Sequence, residues 1–516
     1  MVGLSENLHL VEVLICVVIG LITFFMAKKR ALYPLHMLQL EGYDNEEYKH
    51  WIEENKGKIH RLVYKKSSEE KTPLVMTDRA KRLYQSNNIL IVTLILVVML
   101  VRFGLSIFNA WPTIFAILAF FAIYYFQYIV VAKANDWNAP KEKAINDGFY
   151  NSAQNKILAL KEQNNLQVVG ITGSFGKTST KFITNTILSE SISVQNTPSS
   201  YNTPMGLSKI INNELDATKE VFLAELGAKI PGEIAEVAEL VQPNIGVITA
   251  IGPTHMHLFK TIENIQKTKY ELIESLGPDG ISIFNYDNDY VKPLADKTEI
   301  RKVLYGMENI ENLDVYAKDI EVGERGSTFT LGIKGMGEIS TTTSLLGAHN
   351  ISNVLAGASI GYVLGMTLED LANGIQKVEP VEHRLNIVDG GTGVIVIDDA
   401  FNSNPVGARA ALDVLGAFQK GKKIIVTPGM VELGDMEEEE NFKLGEYMAN
   451  VVDYAILVGP KRTKPIQEGL KKAGFPEEKM IVSLNLSEAT QALGGITAVG
   501  DVVLFENDLP DSYNEE

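Results

Sequence analysis

Residues Val168–Phe182, which read VVGITGSFGKTSTKF, decide the fold of this chain. Apolar β-forming residues run into a loop bracketed by Gly173 and Gly176, and a Lys-Thr pair follows. In such a loop the backbone N–H groups converge on phosphate oxygens, and the positive end of the next helix strengthens the attraction. A Walker A loop would need a glycine where Ile171 stands. The stretch therefore predicts a strand and a helix that begins near Lys177, joined either by a short phosphate loop or by a chance turn.

Polar side chains that suit a nucleotide and its metal follow in the sequence. Lys177 would bring a positive charge to the outer phosphates, and the Thr178 hydroxyl is placed to bind Mg²⁺. Glu225 ends one predicted strand and His255 follows another, and the carboxyl ends of parallel strands face the ligand crevice. A carboxylate there is a natural metal ligand, whereas the histidine can be structural or a ligand. Spacing alone favours an ordinary surface lysine at Lys269.

From Val168 onward, short β-branched runs alternate with helical stretches, which predicts a largely parallel sheet flanked by helices. The predicted strands are Val221–Glu225, Ile245–Thr249, Ile281–Asn285, Gly393–Ile397, Lys423–Thr427 and Tyr454–Val458. Alternating β-formers and glycines over Asp314–Thr343 predict a small antiparallel insert. We expect a central α/β domain over residues 150–380 and a C-terminal, Rossmann-like α/β domain over residues 384–516.

The first quarter of the chain carries three apolar runs, His9–Ala27, Ile89–Phe108 and Ala110–Ala132. Each has about 20 residues, and at about 1.5 Å per residue each can cross a hydrocarbon core of about 30 Å. No basic residue precedes the first run, which argues against a cleaved signal peptide. The runs predict a membrane anchor over residues 1–140 that contains three transmembrane helices.

Basic residues predict the orientation of this anchor. The segment 28–86 between the first two runs is rich in them: Lys28, Lys29, Arg30, Lys65, Lys66, Arg79, Lys81 and Arg82. The link between the second and third runs has only Arg102 nearby. The positive-inside rule then predicts a multi-pass protein of the cell membrane, with its N-terminus outside, a basic cytoplasmic loop at 28–86 and both α/β domains in the cytoplasm.

Composition argues against two further classes of protein. The one cysteine, Cys16, leaves no disulfide framework or cysteine-based metal site within a single chain. The formal charge of −17 argues against non-specific binding to nucleic acid.

Six segments resemble, in order, the motifs of the Mur ligases. They are Gly173–Ser179, Ala224–Gly227, Gly252–His257, Gly347–Asn350, Glu382–Arg384 and Asp398–Pro405. The resemblance extends from Val168 to Val503 and includes Gly429–Asp435. It implies a P-loop ATPase that forms an amide bond through an acyl phosphate. ATP, a cell-wall precursor and an amino acid or D-alanyl-D-alanine acceptor would be its partners, and the apolar runs add membrane lipid.

The resemblance also implies roles for individual residues. The ATP-binding set is Gly173, Ser174, Gly176, Lys177, Thr178, Ser179, His349, Asn350, Asn353, Arg384 and Asp399. Two Mg²⁺ ions would be held by Thr178, Glu225, His255 and Lys269, the last at the position where the family carries a carbamylated lysine. Lys177, Lys269 and His255 would be catalytic, and Asn202, Thr203 and Asn404 would contact substrate.

Two features depart from the family pattern. Apolar runs stand where soluble members carry a domain that grips the UDP-sugar end of the substrate, and Val503–Pro510 lacks their basic turn. We therefore hypothesise that the carboxylate donor is a lipid-linked wall precursor. Two other functions remain open: a membrane-bound synthase of poly-γ-glutamate or a similar polyamide, and a nucleotide-binding scaffold without catalysis.

Overall fold

The computed structural model describes residues 2–62, 64, 73–105, 111–401 and 403–509. Within it the chain divides into two compact units, of which the first ends at Asp147 and the second begins at Gly148.

The first unit is helical. Its helices are α1 Val2–Arg30, α2 Leu32–Leu40, α3 Asn45–Glu54, α4 Lys56–Ile59, α5 Asp78–Leu105, α6 Trp111–Tyr125 and α7 Gln127–Asn164, the last of which continues into the second unit. The segment predicted as a basic loop therefore contains three short helices. Leu35, Leu38, Tyr48 and Trp51 lie at helical spacing and pack into one buried cluster, which gives this segment a core.

Several of the predicted basic residues are used within this unit. Arg30 donates to the carbonyl of Leu62 at 2.7 Å. Arg82 makes a two-pronged pair with Glu142 at 2.6 and 2.7 Å, which joins α5 to α7. Arg79 lies over the ring of Tyr43 at 4.2 Å. Lys65 and Lys66 lie outside the described residues.

The prediction of three membrane-spanning helices is not confirmed. Over the described residues, one helix, Asp78–Gly104, is long and apolar enough to cross a membrane. The third run is not one straight helix as predicted, because α6 and α7 meet at a bend of 69° and qualify only as a broken pair. Gln127 lies at this break, and its buried side chain donates to the carbonyl of Ile123 at 2.6 Å. In an unbroken helix a backbone N–H would have bonded that carbonyl.

The second unit contains two sheets. The strands of the first are β1 Gln167–Thr172, β2 Val194–Asn196, β3 Val221–Glu225, β4 Ile245–Ile248, β5 Ile281–Asn285, β6 Lys302–Gly306, β7 Val315–Gly323, β8 Gly326–Ile333 and β9 Gly337–Thr343. Its helices are α8 Lys177–Leu188, α9 Pro204–Asn213, α10 Glu233–Val241, α11 Met256–Phe259, α12 Ile262–Glu274, α13 Lys292–Lys297, α14 Ala348–Val363 and α15 Leu368–Gln376.

The first sheet has the order β2-β3-β1-β4-β5-β6-β7-β8-β9 and is parallel from β2 to β7. Alternate residues of β1 enter two cores: Val168 packs with α9, α10 and α12, whereas Val169 packs with α8, α14 and α15. The parallel sheet between helices is thus confirmed. The antiparallel segment is also confirmed, but β7–β9 extend the same sheet instead of forming a separate one.

The second sheet has the order β10-β11-β15-β12-β13-β14 and is parallel except at β10. Its strands are β10 Asn386–Asp389, β11 Ile395–Asp399, β12 Lys423–Thr427, β13 Tyr454–Val458, β14 Met480–Ser483 and β15 Val502–Glu506. Its helices are α16 Pro405–Ala417, α17 Glu437–Met448, α18 Lys464–Lys472 and α19 Leu486–Ile496. In parallel α/β sheets the ligand crevice forms at the carboxyl-terminal ends of the strands, so we expect the site at these ends of the two sheets.

Helices α17 and α18 cross at a glycine, which yields a stability prediction. A Cβ added to Gly445 would lie 2.3 Å from the carbonyl oxygen of Ile466, a backbone atom that cannot move aside cheaply. We expect Gly445→Ala to destabilise the C-terminal domain by about 1–3 kcal/mol. Gly494→Ala, on α19 with nothing within 4 Å, should stabilise it by up to about 1 kcal/mol because alanine favours helix. Scanning calorimetry of the full chain measures both, and equal transition temperatures for the two variants would contradict the close crossing.

Candidate functional site

The glycine loop between β1 and α8 is held from outside by the residues that follow β4. Gly173 and Gly176 have φ values of 154° and 82°, which favour glycine. A Cβ on Gly176 would lie 2.8 Å from Oδ1 of Asn353. Ser174 donates its N–H to the carbonyl of Ala250 at 2.7 Å. The loop is therefore shaped before any phosphate enters it.

Lys177 begins α8 and folds back over the loop. Its Nζ donates to the carbonyls of Gly173 at 2.7 Å and Ser174 at 3.1 Å. Burial lowers the pKa of Lys177, and the charge of Glu225 partly opposes that shift. The ammonium thus donates to neutral backbone oxygens, which phosphate oxygens can replace as partners.

Glu225, at the end of β3, is the most heavily bonded carboxylate of the site and is 1 % exposed. Thr178 donates its hydroxyl to both carboxylate oxygens at 3.0 and 3.1 Å, and Asn202 donates to Oε1 at 3.0 Å. Lys181 forms a buried ion pair with Oε2 at 3.1 Å and also donates to the carbonyl of Ser199. Sequence reasoning missed Lys181, although it stands four residues after Lys177 on the same helix face.

Lys269 lies on α12 with 3 % exposure, so it is not the surface lysine that spacing favoured. Its Nζ lies 5.7 Å from the centre of the Phe259 ring. Burial, with a smaller contribution from the charge of Lys177, lowers the pKa of Lys269 to about 7. Much of its amine is therefore uncharged at neutral pH.

His255 links the segment after β4 to the loop after β12. Its Nδ1 lies 2.6 Å from Oε2 of Glu432, and the N–H of Met256 donates to the Glu432 carbonyl at 3.0 Å. Glu432 was inside a segment singled out in the sequence, but no role could be given to it there. Glu432 thus holds one nitrogen of the ring, and the role of His255 as a metal ligand stays a prediction.

The residues expected near adenine lie along the start of α14. Asn353 accepts from the Thr180 hydroxyl at 3.2 Å and donates to Asn350 at 3.0 Å, which joins α14 to α8 beside the loop. Asn350 donates to the carbonyl of Leu346 at 2.9 Å. Burial lowers the pKa of His349 to about 4, so this imidazole is neutral at physiological pH.

Arg384 and Asp399 lie where the second sheet begins. The Arg384 guanidinium stacks on the ring of Phe401 at 4.1 Å, and burial lowers its pKa. Burial raises the pKa of Asp399 to about 6, opposed by the charge of Arg384. Asp399 also accepts the N–H of Leu385 at 3.2 Å, which ties the segment that carries Arg384 to the end of β11.

Two of the predicted substrate residues cap helices. Thr203 accepts the N–H of Gly206 at 3.3 Å at the start of α9, and Asn404 accepts that of Gly407 at 2.9 Å at the start of α16. These bonds are typical N-caps and leave the donor group of each side chain uncommitted to the cap.

Two adjoining cavities gather most of the predicted residues. The first, about 160 Å³, is lined by Ser174, Gly176, Lys177, Thr178, Ser179, Asn202, Glu225, His255, Arg384 and Asn404. The second, about 250 Å³, is lined by Gly173, Ser174, Lys177, Asn202, Thr203, His255 and Lys269. His349, Asn350, Asn353 and Asp399 line neither cavity.

The donor groups around the first cavity fit Mg²⁺ and a polyphosphate. Mg²⁺ prefers oxygen ligands and is usually bound through one or two carboxylates plus substrate phosphates. Thr178 and Glu225 supply oxygens of that kind. In the part of the chain that the structure describes, no three His, Cys, Asp or Glu side chains form a metal cluster, so phosphate oxygens or water would have to complete the coordination.

Comparisons with known proteins agree with this geometry. Residues 171–361 match the Mur ligase middle domain, and residues 383–506 match the Mur ligase glutamate ligase domain. The UDP-N-acetylmuramoyl-tripeptide–D-alanyl-D-alanine ligase of Bacillus subtilis is 29% identical over 373 residues, which are 72% of this chain and 79% of that enzyme. The Escherichia coli enzyme of the same name is 31% identical over 301 residues, 58% of this chain and 66% of its own.

Solved structures give the same result. MurF from Acinetobacter baumannii aligns with a TM-score of 0.63 at 26% identity and covers 70% of this chain and 78% of its own. MurF from Thermotoga maritima in complex with ADP aligns with a TM-score of 0.61 at 27% identity, over 70% of this chain and 80% of its own.

The buried pair of Lys181 and Glu225 yields a second prediction. Lys181→Met leaves a buried carboxylate without its cation, so we expect the free energy of unfolding of the central domain to fall by about 3–5 kcal/mol. The double variant Lys181→Met/Glu225→Gln removes the uncompensated charge and should recover much of that loss. Denaturant unfolding followed by circular dichroism measures the cycle. Additive effects of the two substitutions would show that the pair is not coupled.

Proposed function

The chain belongs to the Mur ligase family, and we propose that it is an ATP-dependent ligase that adds D-alanyl-D-alanine, or an amino acid, to the peptide carboxylate of a peptidoglycan precursor. The observation that supports this most strongly is the cavity lined together by Lys177 and Thr178 of α8, Glu225 of β3 and Arg384 of the segment before β10. The relatives named above supply the reaction class. The alternative of a scaffold without catalysis does not account for a phosphate loop and its charged partners kept together.

The proposed reaction has two steps. A carboxylate is a poor electrophile, and transfer of the γ-phosphoryl group of ATP to it gives an acyl phosphate. The amine of the acceptor then attacks the carbonyl carbon, the C–N bond forms, and the C–O bond to phosphate breaks.

Residues of this chain would bind the phosphates of ATP and neutralise their charge. The glycine loop binds phosphate oxygens through its N–H groups, Lys177 exchanges its two carbonyl partners for phosphate oxygens, and Arg384 adds a second positive charge. Thr178 and Glu225 would hold Mg²⁺, which would supply further positive charge at the transferring phosphoryl group. His349, Asn350 and Asn353 are proposed to contact adenine and Asp399 the ribose.

Lys269 is proposed to act as a carbamate. Its buried, largely neutral amine is suited to attack CO₂, which gives a lysine carbamate and releases one proton. The product carries a carboxylate in the second cavity, beside Lys177, His255 and Asn202, where a second Mg²⁺ would bind.

A rescue experiment tests the carbamate. Lys269→Ala should lower ATP turnover about 100-fold or more, because it removes one electrostatic group that acts in the transition state. Acetate or formate should restore part of that activity by supplying the missing carboxylate. Lys177→Ala is the matched control: it should lose turnover to a similar degree, and acetate should not restore it. Turnover of Lys269→Ala at the wild-type rate would remove this residue from the site.

We further propose that α1, α5 and α6 anchor the protein in the cell membrane, with both α/β domains on the cytoplasmic side. Each helix exposes large apolar side chains: Phe25 is 66% exposed, Leu100 69% and Leu118 62%. Soluble monomers rarely expose apolar surface of this kind in continuous patches. The family models begin at residue 171, so this region belongs to neither matched domain.

A membrane-anchored ligase without a matched UDP-sugar domain is suited to a donor that is itself in the membrane. Phosphate release by the detergent-solubilised protein with Mg-ATP and D-alanyl-D-alanine should therefore depend on lipid-linked muramoyl-tripeptide. Equal release with the UDP-linked tripeptide would reject the lipid-linked donor and keep the ligase. Release with neither donor, but with a glutamate substrate, would favour the polyamide synthase.

A further inference from the structure

The last residue of β15, Glu506, is a buried carboxylate that the proposed ligase reaction does not yet use. Glu506 is 1 % exposed. Its two oxygens accept hydrogen bonds from the hydroxyls of Ser403 and of Thr427, the latter at 2.6 Å. Among the described residues no lysine or arginine pairs with it, and the neighbouring charge is the carboxylate of Asp399, its partner on β11.

This strand end is rich in hydrogen-bond acceptors. Asn507, the next residue, directs its amide N–H to the carbonyl of Gly429 at 2.7 Å, and its own amide oxygen is buried and has no donor within the described part of the chain. A buried carboxylate without a cation is costly unless a positive or proton-donating group joins it. In the ranges that the structure describes, the Asn507 amide oxygen lacks a donor and Glu506 lacks a cation, so an ammonium group suits this strand end.

Ser403 connects this carboxylate to the first cavity, which it lines together with Lys177, Thr178 and Arg384. Because the Ser403 hydroxyl donates to Glu506, its lone pairs are left to accept a hydrogen bond from a group in the cavity. Thr427, the other donor to Glu506, does not line that cavity. One side of the Glu506 carboxylate is thus connected to the cavity and the other is held within the fold.

We propose that Ser403 receives the amine of the acceptor and that Glu506, acting through Ser403, takes the proton that this amine must lose before it attacks. The inference rests on the proposed ligase reaction and deepens it, since it assigns the recognition of a primary ammonium substrate. Ser403 contacts the amine, and Glu506 is a positioning residue and proton acceptor behind it.

Both protons that the ammonium loses have an acceptor. The ammonium gives one proton to Ser403 Oγ as the Ser403 proton moves to the Glu506 carboxylate, which leaves a neutral amine and a carboxylic acid. The amine attacks the acyl phosphate, and the second proton leaves with inorganic phosphate. Burial raises the pKa of Glu506 to about 7, near the value of about 8 for an α-amino group, so the transfer is close to balanced.

Turnover should depend on pH through the ionisation of Glu506. Glu506 accepts a proton only when it is ionised, so acceptor-limited turnover should fall as the pH drops below about 7. The charged groups near it are Asp399, which raises its pKa, and Arg384, which faces Asp399. Thr427→Val removes a hydrogen bond that lowers the pKa of Glu506, so this acidic limb should move to higher pH.

The test compares two nucleophiles in the full-length protein. Hydroxylamine is largely uncharged at neutral pH and traps the acyl phosphate as a hydroxamate without losing a proton first, whereas D-alanyl-D-alanine arrives as an ammonium. In Glu506→Gln the ratio of amide to hydroxamate at pH 7 should fall about 100-fold, with a raised KM for the dipeptide. Raising the pH should restore the ratio, because more of the dipeptide is then already neutral.

The outcomes are distinct. An unchanged ratio and pH profile in Glu506→Gln would mean that this carboxylate is structural and would overturn the inference. If Glu506→Gln also loses hydroxamate formation, the ratio of amide to hydroxamate is measured in Ser403→Ala instead. A wild-type ratio in Ser403→Ala would also overturn the inference. Absence of hydroxamate from the wild-type protein would reject the ligase reaction itself. Glu506→Asp, which keeps the carboxylate, should restore part of the ratio.

Discussion

The buried carboxylate of Glu225 is the interaction on which the catalytic edge of the first sheet depends. It joins the end of β3 to the first two turns of α8 through Thr178 and Lys181, and to the segment before α9 through Asn202. A charge buried to this degree requires such partners. Since Lys181 neutralises Glu225, Lys177 remains available for the phosphates that it is proposed to bind. The donors are in place before substrate binds, and this arrangement avoids reorganisation during the reaction.

The junction between the two sheets is held in a less favourable backbone conformation. His383 and Leu385, on either side of Arg384, have φ values of 59° and 48°, and such values are rare for a bulky residue like leucine. The two carboxylates at the end of β11 hold both residues: Asp398 lies 2.7 Å from Nδ1 of His383, and Asp399 accepts the Leu385 N–H. The position of Arg384 over the cavity is thus set by the second sheet, which makes it sensitive to any movement of that sheet.

Local patterns in the sequence were enough to predict several strands and the glycine loop, although the strand predicted over Gly393–Ile397 lies at Ile395–Asp399. Val221–Glu225, Lys423–Thr427 and Tyr454–Val458 form strands with the predicted bounds, and α8 begins at Lys177, because each depends on neighbours in the sequence. The misses depend on distant partners. The Gln127 side chain bonds the Ile123 carbonyl at the bend in the third apolar run, and the role of Lys181 is visible only once Glu225 lies beside it. Neither contact leaves a periodic signal.

The proposed lipid-linked donor changes how much binding energy the enzyme must supply. A soluble donor bound at about 1 μM requires about 8 kcal/mol, and one bound at about 1 mM requires about 4 kcal/mol. Confinement of enzyme and donor to one membrane gives effective concentrations in the millimolar range, so an anchor can replace the difference of about 4 kcal/mol. A dedicated domain for the UDP-sugar would supply energy of that order. On this proposal, the apolar helices before residue 147 would do for a membrane-bound donor what a UDP-sugar domain does for a soluble one.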